Sequence, residues 1–130
     1  MSKFEYVGEF EFKASKKMLY HYLSSASGLS QWFADDVNIN EDKLLTVIWD
    51  GEENKAKIVS HRTNSLIKIE FFPIDENDTD PNYVEFKLDM SDMTQSVFVR
   101  VTDYSEMEDK EELGELWKNL MFKLKEIVGG

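Results

Sequence analysis

The chain has 130 residues, of which 42% are hydrophobic and 32% are charged, with no cysteine and a formal net charge of −11. This length suits a single domain spanning residues 1–130, and the apolar content is enough to build a core. The negative charge argues against nucleic-acid binding, which needs basic side chains, and the absence of cysteine excludes disulfides, thiolate metal sites and cysteine nucleophiles.

Apolar and charged residues alternate from residue 4 to residue 12, as in a half-buried β-strand. Ser15 then supplies an N-cap oxygen for a helix over residues 16–23, where apolar side chains recur at helical spacing. Residues 24–28 interrupt this pattern, and residues 29–33 predict a second short helix. We therefore expect one strand followed by two short helices.

Six further strands follow in series, because short runs of β-branched and aromatic residues alternate with turn signals. They are predicted over residues 37–40, 44–49, 55–61, 66–72, 83–88 and 96–103. The pair Asp50-Gly51 indicates a tight turn between two of these strands. Residues 75–82 form the longest predicted loop, and this loop is strongly acidic.

The acidic loop 75–82 has some features of a calcium-binding loop. Asp75 and Asn77 stand at alternating positions, like the first ligands of such a loop. The motif also needs a glycine at its sixth position and a bidentate glutamate at its twelfth, and here Asp80 and Phe86 stand there. We therefore predict a solvated connection and no calcium site.

The C-terminal part of the chain carries the strongest periodic signal. The acidic segment 106–112 suits the positive end of a helix dipole, and Gly129 suits the opposite end. We predict a helix over residues 110–128, about 28 Å long. Its apolar face follows the i, i+3, i+4, i+7 pattern and consists of Leu113, Leu116, Trp117, Leu120, Met121, Leu124, Ile127 and Val128.

Consecutive strands joined by short turns predict antiparallel pairing, and a sheet with one apolar face needs an element to cover it. The C-terminal helix is the only predicted element long enough to do so. The predicted fold is therefore α+β, with a curved antiparallel sheet of about seven strands wrapped on a long C-terminal helix.

This order of elements resembles the helix-grip fold of the START-like (SRPBCC) superfamily. Two motifs are similar to the branch formed by homologues of the activator of the heat-shock-protein ATPase. They are the L-x-x-W-F stretch in residues 29–35 and a closing helix in which Gly114 and Trp117 precede spaced leucines. The resemblance covers essentially the whole chain. It implies a curved sheet gripping a helix, with a cavity between them that often takes apolar or lipid-like ligands.

The residues that could carry chemistry indicate no catalytic centre. His21 and His61 have no metal-ligand partner at short spacing, and the clustered carboxylates lie in polar segments typical of a solvated surface. There is no glycine-rich phosphate loop or dinucleotide fingerprint. Arg100 is opposite in phase to Val99 and Val101, so we expect it on the outer face of the sheet. We predict no metal site, no cofactor and no catalytic residue.

Large aromatic side chains and one methionine are the candidate ligand contacts. They could line a cavity between the sheet and the C-terminal helix, or they could simply fill that space as core. The candidate cavity-wall residues are Trp32, Phe33, Trp49, Phe71, Phe86, Phe98, Trp117 and Met121.

Three functions are consistent with these residues. The first is a non-enzymatic binding module for a small apolar or lipid-like ligand. The second, implied by the chaperone-activator resemblance, is a protein-interaction domain whose acidic loop 75–82 contacts a basic partner. The third is an enzyme of the cyclase or hydrolase type, which needs a polar group such as Arg100, His61 or Tyr83 in the cavity.

The chain offers no signal for secretion or membrane insertion. Residues 1–5 contain no apolar run, and no segment approaches the roughly 18 apolar residues of a membrane helix. Together with the absence of cysteine, this pattern predicts a cytoplasmic protein.

Overall fold

A computed structural model describes residues 3–73, 75, 77–106 and 109–130. Its elements follow the predicted order of one strand, two short helices, six strands and a long helix. They are β1 (Phe4–Phe12), α1 (Lys16–Ser24), α2 (Ala26–Leu29), β2 (Asp36–Ile39), β3 (Leu44–Trp49), β4 (Glu52–Arg62), β5 (Leu66–Phe71), β6 (Tyr83–Met90), β7 (Val97–Ser105) and α3 (Lys110–Val128). The predicted α+β fold is confirmed.

The seven strands form one antiparallel sheet in the order β1-β7-β6-β5-β4-β3-β2. Their side chains alternate between a face that packs with α3 in a single core and an outer face, as the period-two pattern predicts. Between Ile58 and Ser60 the pairing of β4 with β5 shifts register, and a bulge of this kind bends its strand. The sheet can therefore curve around the helix.

The turn between β3 and β4 lengthens the second of these strands. Asp50 and Gly51 have φ angles of 50° and 80°, which are left-handed conformations suited to a two-residue hairpin turn. This tight turn pairs Trp49 with Glu52, so β4 begins three residues before its predicted start at residue 55. Backbone pairing thus extends the strand beyond its apolar residues.

Helix α3 has the bounds that its periodicity predicts. The side chain of Asp109 caps its start by accepting two backbone N–H hydrogen bonds (3.0 and 3.3 Å), and Gly129 ends it with a φ of 85°. Residues 107 and 108 of the predicted acidic segment lie outside the described residues. Within the described ranges, no helix is both long and apolar enough to cross a membrane.

The structure places the second helix earlier than the sequence pattern does. Residues 29–33 are predicted to be helical, but α2 ends at Leu29, so that prediction is wrong. The helix begins earlier because Ser25 Oγ caps it, accepting a hydrogen bond from the N–H of Gly28 at 3.0 Å. Gly28 does not break the helix; it allows close packing, since a Cβ there would lie 2.6 Å from the carbonyl oxygen of His21.

The acidic loop 75–82 connects β5 to β6. Its described residues, which omit residue 76, form neither helix nor strand, as expected for a connection. The loop lies at the end of the sheet where β5 ends and β6 begins, and the antiparallel register places the start of β1 and the end of β7 at the same end. These chain segments surround the candidate site.

Candidate functional site

A cavity of about 1660 Å³, including its open mouth, lies between the first half of α3 and one end of the sheet. Leu113, Trp117 and Leu120 line it from the helix, and the ends of β5 and β7 and the starts of β4 and β6 line it from the sheet. Pockets for small molecules typically enclose roughly 300–1,000 Å³. This cavity therefore has room for a ligand of drug or lipid size.

Five of the eight predicted cavity-wall residues line this cavity, and we call them the aromatic wall: Trp32, Phe33, Trp49, Phe71 and Trp117. The ring centroid of Phe33 lies 5.3 Å from that of Trp49 and 6.1 Å from that of Trp117. Trp49 in turn lies 5.9 Å from Phe71. These spacings are typical of aromatic pairs in contact, so the wall is one continuous apolar surface.

The polar edge of each tryptophan is already bonded within the protein. Trp32 and Trp49 each donate the indole N–H to a backbone carbonyl oxygen at 2.9 Å, and Trp117 donates its own to Asp103 Oδ2 at 2.8 Å. Buried indole N–H groups usually find such partners. These bonds hold the rings in place. Trp32 and Trp117 are only 1% exposed, so among the three it is Trp49, at 36%, that presents ring surface to the cavity.

Phe86 and Met121 lie behind the cavity and do not line it. Phe86 is 0% exposed, and its ring centroid lies 5.8 Å from the rings of both Trp32 and Trp117. Met121 is buried in the same core cluster. Both side chains therefore support the aromatic wall from within the core.

Phe98 lies on the opposite face of the sheet, which corrects its prediction as a cavity-wall residue. It follows Val97 and precedes Val99 in β7, and both valines are buried while Phe98 is partly exposed. Successive side chains of a strand point to opposite faces, so Phe98 projects from the outer face. Ring size suggested a site residue here, but strand phase decides the face.

The buried acid of the cavity is Asp103, which the sequence analysis did not single out. Asp103 lies at the end of β7 on the same inward-facing side as Val97, Val99 and Val101. An acidic residue in this apolar alternation was the sequence feature that could have indicated a buried carboxylate. It is 8% exposed and lines the cavity. Burial raises the pKa of the Asp103 carboxyl, and the hydrogen bond from Trp117 opposes this effect.

We expect Asp103→Asn to raise the free energy of unfolding near neutral pH. The folded-state pKa lies above the unfolded value, so protonation of Asp103 favours the folded state; this stability is present below about pH 4 and is lost as pH rises through the folded pKa. The gain from Asp103→Asn should therefore shrink on acidification. Urea unfolding near neutral pH and again at acidic pH measures this gain in the free energy of unfolding. The control is Asp89→Asn, which changes an exposed residue on the outer face. An equal gain in both variants at each pH would contradict this expectation.

Acidic residues outnumber basic ones around the cavity. Among the residues that the structure describes, the lysines that line it are Lys3, Lys55 and Lys123. Nine acidic residues within the described ranges line it as well: Asp35, Asp50, Glu52, Glu53, Asp75, Asp78, Asp80, Asp103 and Glu106. Like charges around a concave opening concentrate their field there, so the mouth has a negative potential.

One of these lysines ties the acidic loop 75–82 to the start of β1. The ammonium group of Lys3 donates to Asp78 Oδ2 at 3.0 Å and also to the backbone carbonyl oxygen of Asp80. The Tyr104 hydroxyl donates to Asp80 Oδ2 at 2.6 Å. The backbone N–H of Asp80 and the Lys3 ammonium lower the pKa of Asp78. These contacts hold the loop against one side of the mouth.

The polar residues required by the enzyme hypothesis are largely outside the cavity. Arg100 is exposed on the outer face, as predicted, with its Nε 3.9 Å from Glu9 on the neighbouring strand. His21 and His61 are also exposed, whereas Tyr83 lines the cavity. Among the described residues, no group of three or more histidine and acidic side chains is arranged to hold a metal ion.

Several solved structures share this fold. The protein BfR322 from Bacteroides fragilis is 33% identical over 98% of this chain and 92% of its own, with a TM-score of 0.64. An Aha1 dimer from Colwellia psychrerythraea is 17% identical over 96% of both chains, with a TM-score of 0.75. The protein DR_A0006 from Deinococcus radiodurans is 18% identical over 98% of this chain and 100% of its own, with a TM-score of 0.69.

Comparison at the level of sequence families covers the whole chain. No curated protein matches it. The model of the START-like superfamily domain matches residues 1–130, in agreement with the helix-grip arrangement of the sheet and α3. The chain therefore belongs to the START-like superfamily.

Proposed function

We propose that this protein is a binding module that holds a small apolar or lipid-like molecule in the cavity between the sheet and α3. The observation that carries this proposal is a cavity of about 1660 Å³ bounded by a continuous aromatic wall. Protein interiors are normally packed to the density of organic crystals. On the wall of this cavity Trp49 is 36% exposed and Phe71 is partly exposed, so a ligand that covers these two rings gains hydrophobic free energy.

Two groups of residues have distinct roles in this proposal. The aromatic wall bounds the ligand site, and its more exposed members, Trp49 and Phe71, contact the ligand directly. Phe86 and Met121 support these rings from the core. The proposed module binds its ligand and catalyses no reaction.

Decanol is a neutral probe for this function. Each buried methylene is worth about 0.8 kcal/mol, so a ten-carbon chain should bind with an affinity on the order of micromolar. We expect saturable quenching or enhancement of tryptophan fluorescence at one decanol per protein, because Trp32, Trp49 and Trp117 all line the cavity. Native mass spectrometry of the protein purified from its own cells should show a bound small molecule.

A matched pair of variants on α3 shows whether decanol occupies the cavity. Leu120 lines the cavity, and Leu120→Trp should fill part of it and weaken decanol binding at least about tenfold. Phe122 is 63% exposed on the same helix, and Phe122→Trp should leave binding unchanged. Isothermal titration calorimetry, which does not depend on the added tryptophan, compares the two. Absence of saturable decanol binding, or equal weakening in both variants, would refute the proposal.

A second candidate is a protein-interaction domain whose acidic mouth contacts a basic partner. The excess of nine acidic residues over three lysines around the cavity supports it, and so does the shared fold with an Aha1 dimer. Electrostatic contacts of this kind weaken with salt. A pulldown that recovers no basic partner at low ionic strength would count against this role. The Leu120→Trp variant, which fills part of the cavity, should still bind such a partner.

A further inference from the structure

We propose that the ligand of this cavity is an organic cation, in which a protonated amine is attached to an apolar body. This inference rests on the proposed binding function and adds the chemical class of the ligand. It is carried by two independent features of the cavity, which are the ring surface that Trp49 and Phe71 leave exposed and the carboxylates placed both inside the cavity and around its mouth.

The aromatic wall is suited to a cation as well as to an apolar chain. Rings of tryptophan and phenylalanine carry negative charge density on their faces, and they attract ammonium groups, most strongly where water is excluded. The N–H edges of Trp32, Trp49 and Trp117 are bonded to protein oxygens. Trp32, Phe33 and Trp117 are at most 2% exposed. The ring surface available to a positively charged group therefore belongs to Trp49, which is 36% exposed, and to the partly exposed Phe71.

The carboxylates of the cavity also attract a positively charged group. Asp103 lies inside the cavity, and its Oδ2 is bonded to the indole N–H of Trp117. At the mouth, Asp35 and Asp50 lie close together, since the Asp50 N–H donates to Asp35 Oδ2 at 2.7 Å. An ammonium group can therefore meet carboxylate oxygens at the entrance and again at the wall.

The lysines do not offset these acids in the interior. Lys3 is bonded to Asp78 and to the acidic loop 75–82, and Lys55 donates to the hydroxyl oxygen of Thr46 at 2.9 Å. Lys55 keeps its charge because a hydroxyl is neutral, but the lining acids still outnumber the lining lysines, so a fatty-acid carboxylate would meet an excess of negative charge. The same field that repels an anion would draw an organic cation into the cavity.

Three ligands with the same ten-carbon chain test this inference: decylamine, decanol and decanoate. Near neutral pH decylamine is protonated and decanoate is ionised, so they differ in charge and share an apolar tail. We expect decylamine to bind about tenfold or more tightly than decanol, and decanoate to bind more weakly than decanol. Calorimetric titration at low and moderate salt measures all three, and salt should weaken decylamine binding selectively.

Three isosteric variants locate the charge that matters, and the readout is the ratio of decylamine to decanol affinity. Asp103→Asn and Asp50→Asn should each lower this ratio about threefold to tenfold. Asparagine suits the left-handed turn at residue 50, where φ is 50°, so that variant preserves the fold. Asp89→Asn removes the same charge from the outer face, away from the cavity, and should leave the ratio unchanged.

The outcomes separate the inference from the function on which it rests. If decanol binds but decylamine has no advantage over decanol or decanoate, the cation proposal is overturned and the binding module stands. If all three variants lower the ratio equally, the preference reflects net charge alone and the cavity assignment is overturned. If none of the three ligands binds, both proposals are overturned.

Discussion

Replacing Trp117 with alanine is expected to lower the free energy of unfolding by about 3–5 kcal/mol, because the change removes a large ring that is only 1% exposed. This ring contacts those of Phe33 and Phe86, with centroids 6.1 and 5.8 Å away. The variant also removes the N–H that bonds to Asp103, which leaves a buried carboxylate without that donor. Urea unfolding followed by circular dichroism measures the loss.

The control for Trp117→Ala is Phe122→Ala on the same helix. Phe122 is 63% exposed, so its removal should change the free energy of unfolding by no more than about 0.5 kcal/mol. Both variants replace an aromatic residue of α3 with a strong helix former, so helix propensity does not account for a difference. Comparable losses in the two variants would show that Trp117 is not the anchor between α3 and the sheet.

Gly28→Ala is expected to cost about 1–3 kcal/mol, although alanine normally favours a helix. A Cβ at this position would lie 2.6 Å from both the carbonyl oxygen of His21 and the Cα of Tyr22. Backbone atoms at that distance cannot yield as a flexible side chain can, so α1 and α2 must separate. A lower midpoint of thermal or urea unfolding measures this cost.

Gly114→Ala is expected to stabilise the protein, in contrast to Gly28→Ala. Gly114 lies inside α3, and the nearest atom to an added Cβ, Tyr6 Cε1, is at an ordinary contact distance of 3.9 Å. Alanine there should stabilise the helix by about 0.5–1 kcal/mol. If Gly28→Ala were also neutral or stabilising, the close approach of α2 to α1 would not be a constraint on the fold.

Elements with a strong local pattern were predictable from the sequence. The bounds of α3 follow from an uninterrupted helical period, a capping aspartate at residue 109 and a glycine at its end. The strand β3 is bounded by the Asp50-Gly51 turn, and its bounds match the prediction. In both cases neighbours in sequence decide the outcome, because caps, turns and periodicity act over a few residues.

The position of α2 was not predictable in the same way. Its sequence contains serines and a glycine, which resemble a break in a helical pattern. Its actual place depends on contact between Gly28 and the backbone of α1, as well as on the Ser25 cap. A residue that is unfavourable by propensity alone becomes the suitable one when another segment lies against it.

The site shows the same division between local pattern and spatial arrangement. Composition and periodicity indicated aromatic residues under a curved sheet, and five of these line the cavity. The alternation of side chains along β7 places Phe98 on the outer face and Asp103 on the inner face, where Asp103 lines the cavity. Whether large rings fill their space or border a cavity depends on the distance between α3 and the sheet. That distance is set by packing between segments far apart in sequence.

The sequence by itself determined the class of fold, the long amphipathic helix and the acidic, cysteine-free character of this protein. These properties follow from composition and from local periodicity. The tertiary structure alone decided that Trp117 bonds to Asp103 and that Lys3 holds the acidic loop 75–82. It also decided that a cavity remains between α3 and the sheet. The physical reason is that burial and charge proximity are properties of the assembled chain, and no short stretch of residues contains them.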